Sequence, residues 1–285
     1  MYPDLSDEFV YNQYTSSKTR RTIRNNLLNN DNRIIKFDTP NNFFPGNKIS
    51  TGKYTPFTFV FLNLYEQFSK IANQYFLVLL LLQLIPAISI TFGFPTISFP
   101  LSIFTILTML KDGFEDLKRH KSDDTENNSK TEIWDDLQQN WLKTTWKSLK
   151  VGNIVKISRN EFFPADMLLI YSSDTKKGQC FIETKNLDGE TNLKPRSVPA
   201  DLKSYKTLND VLCLNYGSIF RSEAPNPILN TFKGTLSAIG HPKQIPLDNS
   251  NFLLRGCSLK NTDYIIGCVT FTGHHTKVMK NSSRA

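Results

Sequence analysis

Asn186-Leu187-Asp188-Gly189-Glu190-Thr191-Asn192 brings together the groups that hydrolytic chemistry asks for. Asp-Gly is a turn signal, because Gly accepts positive φ without steric cost. Two carboxylates, Asp188 and Glu190, and the Thr191 hydroxyl bracket that turn. A carboxylate held out on a tight loop can orient a water and take its proton, the chemistry that hydrolyses a phosphoester or an acyl phosphate. Taken alone the wording is no different from an ordinary β-turn. The four cysteines, Cys180, Cys213, Cys257 and Cys268, are widely spaced, with no Cys-x-x-Cys pair and no His cluster nearby. That argues against a zinc site and a disulfide framework, and fits a reducing cytosolic compartment.

The elements that must hold such a loop fall into two kinds. From Ile71 to Leu110 the chain has no Asp, Glu, Lys, Arg or His. A bilayer core of about 30 Å needs about 20 helical residues, so the block is two crossings long. Its middle reads Thr91-Phe92-Gly93-Phe94-Pro95, a turn where a hairpin would reverse. The pattern predicts two antiparallel spans, about residues 71–92 and 96–117, within a hairpin region of residues 46–121. Lys48, Lys53 and Lys70 precede the block, and Lys111, Lys118, Arg119, His120 and Lys121 follow it. By the positive-inside rule both ends face the cytoplasm, leaving the sequons at Asn127 and Asn281 on the side away from glycosylation. The net charge of +8 is then partly explained by membrane flanks, and a nucleic-acid partner is not expected. Pro86 lies within the first expected span, and Gln83 about one turn before it. A polar side chain at that depth is costly, so Gln83 faces either a polar path or a neighbouring helix as hydrogen-bonding glue.

After the block, Ser122–Lys130 reads as a polar linker. Short strands follow, at Val151–Ser158, Met167–Tyr171, Cys180–Thr184 and Tyr264–Phe271, separated by Gly, Asn, Asp and Pro. They predict a compact β-rich domain within residues 122–280. Residues 1–45 are expected to be a polar tail, with no cleavable signal peptide.

Wider strings carry a family resemblance. Cys180-Phe181-Ile182-Glu183-Thr184-Lys185-Asn186-Leu187-Asp188-Gly189-Glu190-Thr191-Asn192-Leu193-Lys194 resembles the actuator-domain signature of class IV P-type ATPases, the phospholipid flippases. Asn47–Tyr54, Leu64–Phe68 with Ala72-Asn73, Glu115–Lys121, Pro164-Ala165-Asp166, Leu253–Cys257 and Phe271–Lys277 are similar to further family blocks, in family order. The resemblance implies a membrane α+β protein: a transmembrane helical hairpin with a cytoplasmic β-rich actuator of distorted β-roll or jelly-roll type. It implies that Glu190 positions the water that cleaves an aspartyl phosphate, with Asp188, Gly189 and Thr191 shaping the loop. Gln83 and Asn73 are expected on the lipid path. Many flippases carry two consecutive glutamines near the end of the first span; here the pair reads Gln83-Leu84, so phosphatidylserine specificity is not implied.

No Asp-Lys-Thr-Gly motif for phosphorylation occurs. Mg2+ and ATP are therefore expected on domains absent from this chain, with no metal site here, and residues 281–285 read as the lead-in to a missing third span. The implied partners are phospholipid, the bilayer and the family's two-span β-subunit. A truncated, membrane-anchored regulatory paralogue is the alternative reading; a fragment of a cation-transporting P-type ATPase is a lesser one.

Overall fold

The computed structural model describes residues 32–36, 41, 43–87, 89, 92–204, 210, 218–238 and 243–282. The tail through Asp31, Thr91 of the expected turn, Cys213 and Ser283 of the second sequon lie outside them. The chain divides into two compact units, one from Ile49 to Glu126, the other taking the chain up to Lys48 together with that from Asn127 onward.

The first unit is helical: α1 (Phe59–Phe68), α2 (Ile71–Gln83) and most of α3 (Ser98–Asn128). Phe92 and Gly93, both at positive φ, turn the chain between α2 and α3. The expected first span is shorter than the apolar pattern suggested. Pro86, which has no N–H and clashes with the preceding turn, follows the end of α2, leaving 13 residues or about 20 Å of helix. The second helix begins near the expected place but continues to Asn128, far beyond Leu117, so charged residues fill its second half. Among the described residues no helix is long and apolar enough to cross a membrane.

The expected linker Ser122–Lys130 is corrected as well: most of it is the end of α3. Three aspartates on this helix explain why. Asp112 accepts from Asn63 Nδ2 at 2.8 Å, Asp116 from the Lys53 backbone N–H at 2.7 Å, and Asp123 from the Thr51 N–H at 2.6 Å and hydroxyl at 2.8 Å. Spacings of four and seven keep these groups on one face of a helix, so the chain before α1 is laid along α3 as a strap. Outward, Ile71, Tyr75, Val78 and Leu81 of α2 and Phe99, Phe104, Leu107 and Leu110 of α3 are exposed.

Among its described residues the second unit is a β structure of thirteen antiparallel strands, numbered in chain order. Its largest sheet runs β11 (Phe252–Leu253), β5 (Asp166–Ser172), β13 (Tyr264–Phe271), β4 (Ile154–Ser158), β2 (Lys130–Asp135), β3 (Asn140–Thr145). A four-stranded sheet runs β1 (Asn32–Lys36), β8 (Ile219–Glu223), β9 (Gly234–Ser237), β10 (Ile245–Leu247). The third sheet runs β12 (Ser258–Lys260), β6 (Gln179–Glu183), β7 (Lys194–Ser197). The four short strands expected from sequence correspond to β4, β5, β6 and β13. All seven residues of β5 are buried, which fits a central strand rich in large apolar side chains. Phe232 stacks on Phe252 with ring centroids 4.0 Å apart, and Phe271 meets Phe252 edge-on at 5.9 Å.

The described residues between Asn32 and Asn47, read from sequence as polar tail and the start of the hairpin region, also build this unit. β1 pairs with β8, and Arg33 lies over the rings of Phe44 and Phe271. Asn47 is fully buried; its amide donates to the Trp146 and Pro164 carbonyls and its oxygen accepts from Arg255 Nη1 and the Gly273 N–H. Gly273 is needed there: a Cβ would stand 2.7 Å from the Gly46 carbonyl oxygen. Asp166, at the start of β5, accepts from the backbone of Arg255 at 2.8 Å and of Lys277 at 2.7 Å. Burial outweighs these bonds and pushes its pKa up to about 6.

Candidate functional site

The loop joining β6 to β7 begins with one short helical turn, α4 (Lys185–Asp188). Gly189 ends that turn at φ 75, a left-handed conformation that costs a residue with Cβ extra energy. No atom lies within 4 Å of where a Gly189 Cβ would sit, so conformation and not space calls for glycine. Leu187 packs against the core beneath, and the Asn186 amide donates to the Gly256 carbonyl at 3.4 Å. The loop is thus seated at its base and open at its tip.

Asp188 organises the tip. Its carboxylate accepts from the Thr184 hydroxyl at 2.9 Å, from the Glu190 backbone N–H at 3.0 Å and from Lys194 Nζ at 2.6 Å. The Lys194 ammonium, helped by the Glu190 N–H, holds the Asp188 pKa down to about 2. Lys194 reaches Glu190 as well, 2.9 Å from Oε2, and both carboxylates raise the lysine's own pKa, Asp188 the more strongly. Glu190 is the more open carboxylate, its side chain 57% exposed against 36% for Asp188. Thr191 is also exposed beside it. The four residues singled out in the sequence therefore share one loop, with Glu190 facing solvent, tethered by Lys194.

Lys194 and Thr184 were not assigned roles from sequence. A lysine four residues after Glu190 is a legible pairing signal on a helix, but these residues are not helical. Only the β6–β7 pairing, which sets Ile182 opposite Lys194, brings the ammonium back over the turn. The residues expected on the lipid path lie elsewhere, in the helical unit. Gln83 donates to the Thr96 hydroxyl at 3.1 Å and accepts from the Ile97 N–H at 3.2 Å, joining the end of α2 to the start of α3. Asn73 donates to the Gln67 carbonyl at 2.8 Å, near the C-terminus of α1. The Gln83 bonds tie the end of α2 to the turn that leads into α3.

Among the described residues no group of three or more His, Cys, Asp or Glu could hold a metal ion. Lys194 engages Oδ2 of Asp188 and Oε2 of Glu190.

The family described as Phospholipid-translocating ATPase N-terminal matches residues 24–97. Over 241 residues the chain is 43% identical to Phospholipid-transporting ATPase IC of Xenopus tropicalis, an overlap of 85% of this chain and 19% of that protein. It is 37% identical to human Phospholipid-transporting ATPase VB over 99% of this chain and 19% of that protein. It is 38% identical to mouse Phospholipid-transporting ATPase FetA over 95% of this chain and 23% of the relative. The chain belongs to the phospholipid-transporting ATPases. It spans about a fifth of the length of these relatives. A zinc-transporting PIB-type ATPase solved in its E2.Pi state overlaps 55% of this chain and 16% of its own, at 8% identity and a TM-score of 0.31, too low to define a shared fold. The β unit with its exposed acidic loop lies within the stretch of chain that these relatives share.

Proposed function

We propose that this chain supplies the dephosphorylating loop and the first two membrane helices of an ATP-driven phospholipid transporter. The observation that carries the reading is the exposed Glu190 carboxylate at the tip of a loop whose base is fixed by Asp188, Gly189 and Leu187. In the reaction, Glu190 takes a proton from a water as its oxygen attacks phosphorus. The bond from phosphorus to the aspartyl oxygen breaks, releasing inorganic phosphate and a free carboxylate. The phosphorylated aspartate, ATP and Mg2+ belong to parts of the protein outside this chain. Asp188, Gly189 and Thr191 shape the loop so that it can meet that phosphate.

Phospholipid is the cargo, moved toward the cytoplasmic leaflet, with the bilayer and a two-span β-subunit as partners. The apolar faces that α2 and α3 turn outward support contact with lipid, and the basic residues on both flanks support cytoplasmic ends. Gln83 and Asn73 would border the lipid path.

Glu190→Gln tests the reading in a full-length transporter built on this portion. The substitution keeps size and removes the base, so phosphate still loads from ATP. Dephosphorylation after lipid addition should slow by about 10²–10⁴-fold and flipping should stop. Glu183→Gln is the control: it retains an acceptor for the Ser258 hydroxyl and gives up only a 3.6 Å pairing with Lys260. Parental decay of the Glu190→Gln phosphoenzyme would leave the loop as a turn and no more.

A further inference from the structure

On the reading above, the loop places two carboxylates where a phosphoryl group must arrive. All three carry negative charge, and like charges close together in a partly dehydrated contact repel strongly. Lys194 stands where that conflict would be felt, its ammonium 2.6 Å from Asp188 and 2.9 Å from Glu190. Its stem is held at the start of β7 and its side chain is one-third exposed, so the head group is anchored and still reachable. The same carboxylate that Lys194 grips accepts the Glu190 backbone N–H, so side chain and main chain of Glu190 are referred to one anchor.

We propose that Lys194 is a positioning residue for this loop: it orients the Glu190 carboxylate and offsets the charge of the acidic pair as the loop approaches the phosphate. It acts through Glu190 and Asp188 rather than on the reacting atoms. The inference depends on Glu190 being the base, and goes beyond it by naming what aims that base.

The test is the decay of phosphoenzyme after lipid addition in the full-length transporter, for Lys194→Met, Lys194→Arg and Glu190→Gln. All three should load phosphate from ATP, which also reports that they fold. Lys194→Met keeps the stem and loses the charge, and its decay should slow on the order of 10²-fold, the scale of a misaimed catalytic group. Lys194→Arg keeps the charge with a different fork and should slow by about tenfold or less. Raising the salt concentration shortens the screening length to about 10 Å at 0.1 M and less above it, so added salt should partly restore Lys194→Met. It should not restore Glu190→Gln, which lacks the base.

A Lys194→Met phosphoenzyme that decays like the parent while Glu190→Gln is stalled overturns the inference and leaves the function standing. Slow decay that neither arginine nor salt relieves overturns it too, marking a structural lesion. Should Lys194→Met fail to load phosphate, Lys194→Gln carries the same comparison. Parental decay in Glu190→Gln overturns the reading of the loop and this inference together.

Discussion

At Asp188 the electrostatics of the loop meet in one carboxylate. Its pKa near 2 lies below the ordinary 3.8, with the Lys194 ammonium as the largest cause. A carboxylate depressed in this way contributes stability above its unfolded value; the contribution is lost as pH falls from about 4 through about 2. The loop should therefore be fully ion-paired at neutral pH and begin to open only in that acid window. Replacing Lys194 with Met removes the main cause, so the Asp188 midpoint should rise toward the ordinary aspartate value. Carboxyl carbon chemical shifts followed by NMR through an acid titration report it directly. An Asp188 midpoint unmoved by the substitution would mean that the backbone and Thr184 bonds, and not the lysine, hold it down.

For the elements, the aspartates of α3 decide where a helix ends and a linker begins. Polar composition at Ser122–Lys130 suggested exposed chain, yet Asp123 is only 8% exposed and holds both Thr51 and Gly52. Asp116 does the same for Lys53 one helical stretch earlier. Asp123→Ala should free the Thr51 and Gly52 amides while leaving that of Lys53 protected. A hydrogen bond to a charged acceptor is worth about 1.5–3 kcal/mol, so exchange at these two part-buried amides should quicken by about 10-fold or more. Hydrogen exchange read by mass spectrometry resolves the strap; equal protection before and after the change would show that the strap is held by other contacts.

For the molecule as a whole, the proposed function requires the β unit to lie on the cytoplasmic side of a membrane. Leu137, in the turn between β2 and β3, is 96% exposed. Cys180 and Cys257 are buried, with thiols pushed up to about 12 by that burial, and burial raises Cys268 likewise. Such thiols are poor nucleophiles at neutral pH. Leu137→Cys, with Cys213 changed to Ser in both parent and variant, therefore offers one reactive thiol at a known place. A membrane-impermeant maleimide should label it only after intact cells are permeabilised. Labelling of intact cells would put the β unit on the outer side and reverse the topology.

The acidic loop and the charge-free block were legible in the sequence because each rests on short-range physics. Asp-Gly-Glu sets a turn through one left-handed residue, and forty residues without charge prefer apolar surroundings whatever they pack on. Four strands showed for a similar reason, since alternation and apolar runs are local patterns. What tertiary structure decided involves partners far apart in the chain. Asn47 meets Arg255 across 208 positions, β1 finds β8, and Asp166 gathers the backbone of Arg255 and Lys277; no spacing rule links such pairs. The helix–linker boundary failed for the opposite reason. A polar run was read as solvent-exposed, whereas its aspartate was satisfied by backbone donors 71 and 72 residues upstream. Lys194 sits between these cases: its residue type and distance from Glu190 stand in the sequence, but only the pairing of β6 with β7 turns the chain so that its ammonium closes over both carboxylates.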